Sequence, residues 1–314
     1  MKAKNTERRP YFHLECLAVL FCTFALTGSL RANETALTVQ VLGSGGPELS
    51  DQRASTSYLI SIDDKARVLL DTGPGSSLHF ERSGADFNDI EALLYSHLHI
   101  DHSADLPAYV KASYFSVRKH DLPIYGPSGN TMMPSTREFV EGLFGNHGVY
   151  RYLQEYYEPK VSAAYKLKPY DIHPNQGKPS HLQLAADIKA SAVNVPHGPI
   201  PALAWRIDSG NCAVTFTGDT NKPGTALTEL AGGSDLLIAH HAIPEHAGEV
   251  ASSLHMPPSL IGKLAADAGV KQLLLSHRMR RTFNNEAETL KIIRKYYSGP
   301  VSFAEDNARY QPCH

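Results

Sequence analysis

The stretch "LLYSHLHIDHSADLP", residues 93–107, sets three histidines and an aspartate within the six positions His97 to His102. Buried imidazole and carboxylate groups are costly unless something pairs with them. Either a metal is held here, or the stretch is an exposed loop of unusual composition. His97 and His99 stand two apart at the end of an apolar run, so both can reach one point beyond it. Asp101 and His102 follow in the loop and can serve a second point. Zinc takes nitrogen and oxygen ligands at about 2.0–2.2 Å, usually four per ion. One motif therefore supplies two half-sites, and a dinuclear centre needs ligands from elsewhere. Candidates stand just past apolar stretches: His197 after "ASAVNVP", Asp219 ending "AVTFTGD" and His277 ending "QLLLSH". Taken singly, each reads as a satisfied core or loop residue. Four sites in the same strand-end context point to metal binding.

The elements that must position these residues are mostly strands. "TALTVQVLGSGGP", "STSYLISID" and "ARVLLDTGPG" run apolar or alternate and end in turn residues, and Ala92–Tyr95 forms a short strand running into the histidine cluster. "ADLPAYVKASYFSV" fits a helix broken early by Pro107, and "DLPIYGPSGN" a short strand and turn. Residues 135–158 are aromatic-rich and helical in two pieces, split near Gly145–Gly148, which marks a helical insertion over about 130–160. "DIKASAVNV", "ALAWRIDSG", "CAVTFTGDT" and "SDLLIAHHA" are further strands. "PPSLIGKLAADAGV" is a helix, "KQLLLSH" the strand after it, residues 286–297 the last helix and "PVSFAED" a terminal strand. This order predicts two sheets packed face to face with helices outside.

A chain of 314 residues, 42% hydrophobic, is long enough for one large domain. Residues 1–32 have a basic start and an apolar run from Leu14 to Leu26, the layout of a secretory signal, with the domain proper at 33–314. "ERRPYF" also resembles a twin-arginine export signal, so the export route stays open. That segment holds five basic and two acidic residues of the 30 and 32 in all, so its removal takes the net charge from −2 to −5. A nucleic-acid binder normally shows a basic face, and this balance argues against one. The placement expected is periplasmic or secreted, with no membrane association after cleavage. Cys212 and Cys313 remain in the mature chain, either as a disulfide or as two free thiols.

"HLHIDH", with "LLDTGPG" upstream and His197, "FTGDT" and "LLLSH" downstream, resembles the metallo-β-lactamase-fold hydrolases over about residues 37–305. The resemblance implies a four-layer αββα sandwich of the α/β class with metals at one edge. It implies that His97, His99 and His197 hold one metal and that Asp101, His102 and His277 hold a second, with Asp219 bridging. Asp71 matches a position that supports the metal-binding loop. The cofactors expected are two divalent ions, zinc first, with manganese or iron as alternatives. Their chemistry is hydrolysis through an activated water, which Asp101 can aim.

A bridging aspartate separates this chain from the true β-lactamases. "LPIYGP", "PHGPIPALAWRI" and "HMPPSLIGKLAADAGVKQLLLSH" resemble the ribonuclease Z, arylsulfatase and cyclic-nucleotide phosphodiesterase group. There, a histidine opening the penultimate helix contacts the anionic group and can protonate the leaving oxygen; here that position is His255. Two features depart from the tRNA-processing members. His241, in "AHHAIPE", stands where they carry a glutamate, and the Gly-rich basic arm that grips tRNA is missing. The expected substrate is therefore a small anionic ester, a phosphodiester such as a cyclic nucleotide or an aryl sulfate, with no tRNA. The competing readings are a ribonuclease Z-like phosphodiesterase, a lactonase-type hydrolase and, from a different class, an inactive metal-binding protein. A homodimer is left open.

Overall fold

Two sheets of seven strands form from the apolar runs. The first half of the chain supplies β1 (Leu37–Gly43), β2 (Ser57–Ile62), β3 (Lys65–Leu70), β4 (Ala92–Leu94), β5 (Leu122–Pro127) and β6 (Leu167–Ile172). Between them lie α1 (Ser76–Ser83), α2 (Ile100–Ser103), α3 (Leu106–Ser113) and α4 (Thr136–Phe144). The second half supplies β7 (Ser180–Ala185), β8 (Ile188–His197), β9 (Ile200–Ser209), β10 (Cys212–Phe216), β11 (Leu236–His240), β12 (Leu273–Ser276) and β13 (Val301–Phe303). Its helices are α5 (Gly224–Leu230), α6 (Glu249–Ser252), α7 (Pro258–Asp267) and α8 (Glu286–Ile293). β14 (Arg309–Tyr310) returns to pair antiparallel with β1. The computed structural model describes Met1, residues 36–175 and residues 177–313, and every element belongs to the unit Glu34–His314. The apolar run 14–26, on which the export-signal reading rests, lies outside the described residues.

The strand orders mirror each other: β14-β1-β2-β3-β4-β5-β6 and β13-β12-β11-β10-β9-β8-β7. Antiparallel pairing through β1, β2 and β3 gives way to parallel pairing from β3 to β6. In the second sheet β7 to β10 are antiparallel and β10 to β13 parallel. Period-two alternation sorts the side chains between layers. Leu37, Val39 and Val41 of β1 meet Val214 and Phe216 of β10 and the buried Trp205 in a core between the sheets. Leu59, Leu69 and Leu93 face the other way, onto Phe80 of α1, Tyr109 of α3 and Phe144 of α4. Leu237, Ala239 and Leu275 pack outward on Leu227 of α5, Leu264 of α7 and Ile293 of α8. The layers are helix, sheet, sheet, helix, the sandwich expected.

Local chemistry sets the details. Pro107 opens α3 instead of breaking it, because the first turn of a helix leaves its N–H groups unpaired anyway. The residues before it form the separate short helix α2. α4 begins with a reciprocal cap, Ser135 Oγ accepting from the Glu138 N–H while Glu138 accepts from the Ser135 N–H. It stops at Gly145, and a 3₁₀ turn over Arg151–Tyr156 forms the second helical piece. Cys212 and Cys313 are disulfide-bonded, which fastens the C-terminal tail to the start of β10 and resolves the alternative that the sequence leaves open.

Candidate metal centre

Open sheets of this kind gather ligands beyond the carboxyl ends of their strands. Asp71 directly follows β3, His97 lies three residues past β4, His197 ends β8, Asp219 lies three past β10 and His277 directly follows β12. His99 leads into α2, which carries Asp101 and His102. The seven residues expected as metal ligands are thus brought to one place between the sheets, and all but His99 are buried.

Two clusters of donor atoms share one carboxylate oxygen. In the first, His99 Nδ1 lies 3.1 Å from His97 Nε2 and 3.4 Å from His197 Nε2. Asp219 Oδ2 stands 3.8 and 3.7 Å from His97 Nε2 and His197 Nε2. In the second, Asp101 Oδ2 lies 3.1 Å from His277 Nε2 and 3.6 Å from His102 Nε2. The same Asp219 oxygen stands 3.4 and 3.7 Å from these two nitrogens. Tetrahedral zinc with bonds of about 2.0–2.1 Å separates its ligands by about 3.3 Å, so the spacing fits. His102 Nε2 is buried with no hydrogen-bond partner among the described residues, a cost that a bound cation removes.

The charges agree with that fit. Burial, reinforced by His102, holds His97 well below the usual histidine range, so its ring is a neutral donor. Burial works against the ionised Asp219, but His277 and His255 outweigh it and hold the carboxyl well below its ordinary value. Asp101 is also pulled down, by His102 and His277 against the effect of burial. Burial likewise disfavours a proton on His102, yet Asp101 and Asp71 raise its affinity well above normal. A site that draws a proton so strongly draws a metal cation for the same reason.

Supporting contacts fix the donors. Asp71, at a positive φ of 58°, accepts from the Ser96 N–H and hydroxyl and lies 2.8 Å from His102 Nδ1. This is the support for the metal loop that its position implied, and it leaves His102 Nε2 free to point inward. His197 Nδ1 is held by the Leu254 carbonyl. Sequence reasoning missed His240 and Tyr58. His240 Nδ1 lies 2.8 Å from Asp219 Oδ1, and its Nε2 lies 3.1 Å from the Tyr58 hydroxyl on the opposite sheet. A usable signal existed: Leu236 and Ile238 face the inter-sheet core, so period two puts His240 on the site's side. The same alternation turns His241 away, toward Thr289 of α8 and the Arg278 guanidinium. His241 therefore does not join the donor set. His255 does approach it: its Nδ1 lies 3.7 Å from Asp219 Oδ2, is buried and has no partner among the described residues.

A family model described as beta-lactamase superfamily domain matches residues 66–278. The chain is 26% identical over 312 residues to Ribonuclease Z of Methanosarcina acetivorans, covering 86% of this chain and 96% of that one. Ribonuclease Z of a Mycobacterium species (strain KMS) is 29% identical over 258 residues, covering 77% and 84%. Among solved structures, the metallo-beta-lactamase fold protein YhfI from Bacillus subtilis superposes with a TM-score of 0.68 at 22% identity, covering 88% and 99%. Human tRNase Z, short form, does so with 0.67 at 20%, covering 87% and 98%.

The relatives overturn three expectations: an exported hydrolase of small anionic esters, the exclusion of tRNA, and a periplasmic or secreted placement. They give the arylsulfatase reading no support. The physical reasons are specific. A net charge, −2 for the whole chain and −5 without residues 1–32, is a sum and says nothing of where the cations sit; residues 106–120 carry Lys111 and Lys119 and no carboxylate. A missing basic arm removes one grip on RNA and leaves the hydrolytic centre intact. The basic start and apolar run are a pattern of composition alone, in residues whose structure is not described. Two donor clusters at the strand ends of an αββα sandwich, on a chain whose residues 66–278 match the family model, make this chain a member of the metallo-β-lactamase superfamily and a metal-dependent hydrolase.

Proposed function

We propose that this chain is a ribonuclease Z-type phosphodiesterase that cleaves tRNA precursors with two zinc ions. The observation that carries the reading is likeness along most of the chain to proteins named Ribonuclease Z, 86% of its length in one case. His97, His99 and His197 would hold one ion, Asp101, His102 and His277 the other, and Asp219 both. Ions held there would supply Lewis-acid polarisation of the substrate's phosphoryl group and a more acidic water.

The remaining work falls to side chains. Asp101 accepts a hydrogen bond from the attacking water and aims it. His240 and Tyr58 hold the outer oxygen of Asp219 so that the inner one serves both clusters. His255 protonates the departing ribose oxygen. Burial depresses its proton affinity to about 3, and an anionic phosphoryl group beside it raises that affinity again.

An unprocessed tRNA transcript, bis(p-nitrophenyl) phosphate and p-nitrophenyl sulfate, each with and without chelator, test the reading. The transcript should be cut at one position in a chelator-sensitive way, and the sulfate left intact. Turnover of the small esters with the transcript untouched would overturn it.

A further inference from the structure

α3 leaves the metal loop at Leu106, four residues after His102, and ends in an exposed aromatic cluster. Tyr114 is 56% exposed, Phe115 79%, and Tyr152, from the 3₁₀ turn alongside, 64%. Leaving three large rings in water forgoes most of the free energy that their burial would give. The cluster is nonetheless ordered around one cation. Lys111 Nζ lies 4.4, 5.3 and 5.8 Å from the ring centroids of Tyr114, Phe115 and Tyr152. Tyr114 and Phe115 meet nearly at right angles, 5.3 Å apart, so their faces point in different directions.

We infer that Tyr114, Phe115, Tyr152 and Lys111 form a stacking platform for unpaired bases of an RNA strand leading to the metal centre. The inference rests on the phosphodiesterase reading for its substrate class. Exposed rings with an interleaved cation are the elements of single-strand binding: any base stacks on an aromatic face, and the cation meets the phosphate. The charge around the platform fits a polyanion. Residues 106–120 carry Lys111 and the exposed Lys119 without one aspartate or glutamate, in a chain whose net charge is −2, whereas Arg118 is buried and bonded to the Phe87 and Asp121 carbonyls. A second copy of the chain fits less well. A twofold contact would set this basic segment against itself, with like charges opposed. The distance also suits: an eight-residue helix is about 12 Å long, so platform and metal loop lie within reach of one short strand.

The test uses the full chain and a fluorescein-labelled, 2′-O-methylated oligouridylate of about twelve nucleotides, which cannot be cleaved and covers a typical single-strand site. Fluorescence anisotropy should detect binding that weakens tenfold or more in the triple variant Tyr114→Ala, Phe115→Ala, Tyr152→Ala. That variant should raise KM for the tRNA transcript by a similar factor, hold kcat within about twofold, and hydrolyse bis(p-nitrophenyl) phosphate at the wild-type rate, which also reports an intact fold. A Phe115→Trp variant should keep its affinity, and the oligonucleotide should quench the new tryptophan, since the native Trp205 is fully buried. Wild-type protein that fails to bind the oligonucleotide overturns the platform, as does a triple variant of unchanged affinity. A dimer that dissociates in the triple variant with RNA binding intact overturns it too and gives this face to a second copy. Oligonucleotide binding lost in the triple variant, in a protein that never cuts the transcript, supports the platform and overturns the tRNA reading alone.

Discussion

Asp219 Oδ2 lies 3.4–3.8 Å from ring nitrogens of five histidines: His97, His102, His197, His255 and His277. Those separations leave room for cations between oxygen and nitrogen. His97→Ala or His99→Ala should therefore lose metal and activity together, read by elemental analysis and turnover; full activity in either would sink the assignment. His255 differs in kind. His255→Ala should retain both metals while kcat falls about 10²–10⁴-fold, the usual contribution of a general acid. The loss should shrink when the leaving group is p-nitrophenol, which departs without a proton. An equal loss for good and poor leaving groups would leave only a binding role. His241, behind the site, gives a pH dependence. Burial, then the Arg278 charge, lowers its folded value to about 3, whereas an unfolded histidine titrates near about 6.5. Between those values only the unfolded chain takes up the proton, so stability falls as pH drops below about 6.5. From there to pH 5 the decline is about 2 kcal/mol for this residue. Urea midpoints of wild type and His241→Gln should converge toward acid pH; parallel curves would refute the assignment. The motif histidines were legible because their spacing is local. Tyr58 was not, because its partner His240 lies 182 residues away on the other sheet, and only the closed sandwich joins them.

Elements locate the donors through close backbone approaches, and glycines permit these. A Cβ on Gly73 would lie 2.3 Å from the Asp101 carbonyl oxygen, in the turn after β3. Gly73→Ala should push the metal loop outward, weaken metal binding tenfold or more and cost about 1–3 kcal/mol of stability. Gly142, inside α4, meets nothing within 4 Å. Gly142→Ala should stabilise by about 0.5–1 kcal/mol and leave metal affinity unchanged. Chelator competition and denaturant unfolding of the pair separate the effects; equal metal affinity in both variants would refute the role given to Gly73. At this scale the strands ending at donors were readable, since buried parallel strands are continuous apolar runs such as "LLL" in β12. The missed elements lack that mark. β7 alternates polar and apolar residues at a sheet edge, and α1, "SSLHFERS", buries only Ser76 and Phe80. Pro107 was misread because a proline that stops one helix is also well suited to begin the next.

Across the whole molecule, the site joins two halves of the chain. Asp71, His97, His99, Asp101 and His102 come from the segments that follow β3 and β4 of the first sheet, and His197, Asp219, His240 and His277 from the strand ends of the second. One route from the second sheet to the site runs along β10, whose far end leads to Asp219. The Cys212–Cys313 bond acts there: it ties the tail, and β14 just before it, to the first residue of β10 across a separation of 101 residues. A loop of that length stabilises by up to about 4.7 kcal/mol in the chain-entropy model, less if the unfolded chain stays compact. The bond lies at the opposite end of β10 from the donors, so its removal should act on stability and spare the chemistry. Cys212→Ser with Cys313→Ser should lower the urea midpoint and Tm markedly, while kcat at 25 °C and the metal content of the folded protein stay at wild-type values. Free-thiol titration of unreduced, denatured wild type should find neither of these two cysteines. An unchanged midpoint in the double variant would mean that the tail is held by β14 pairing with β1 and not by the bond, and a fall in kcat with stability intact would mean that β10 transmits strain to Asp219.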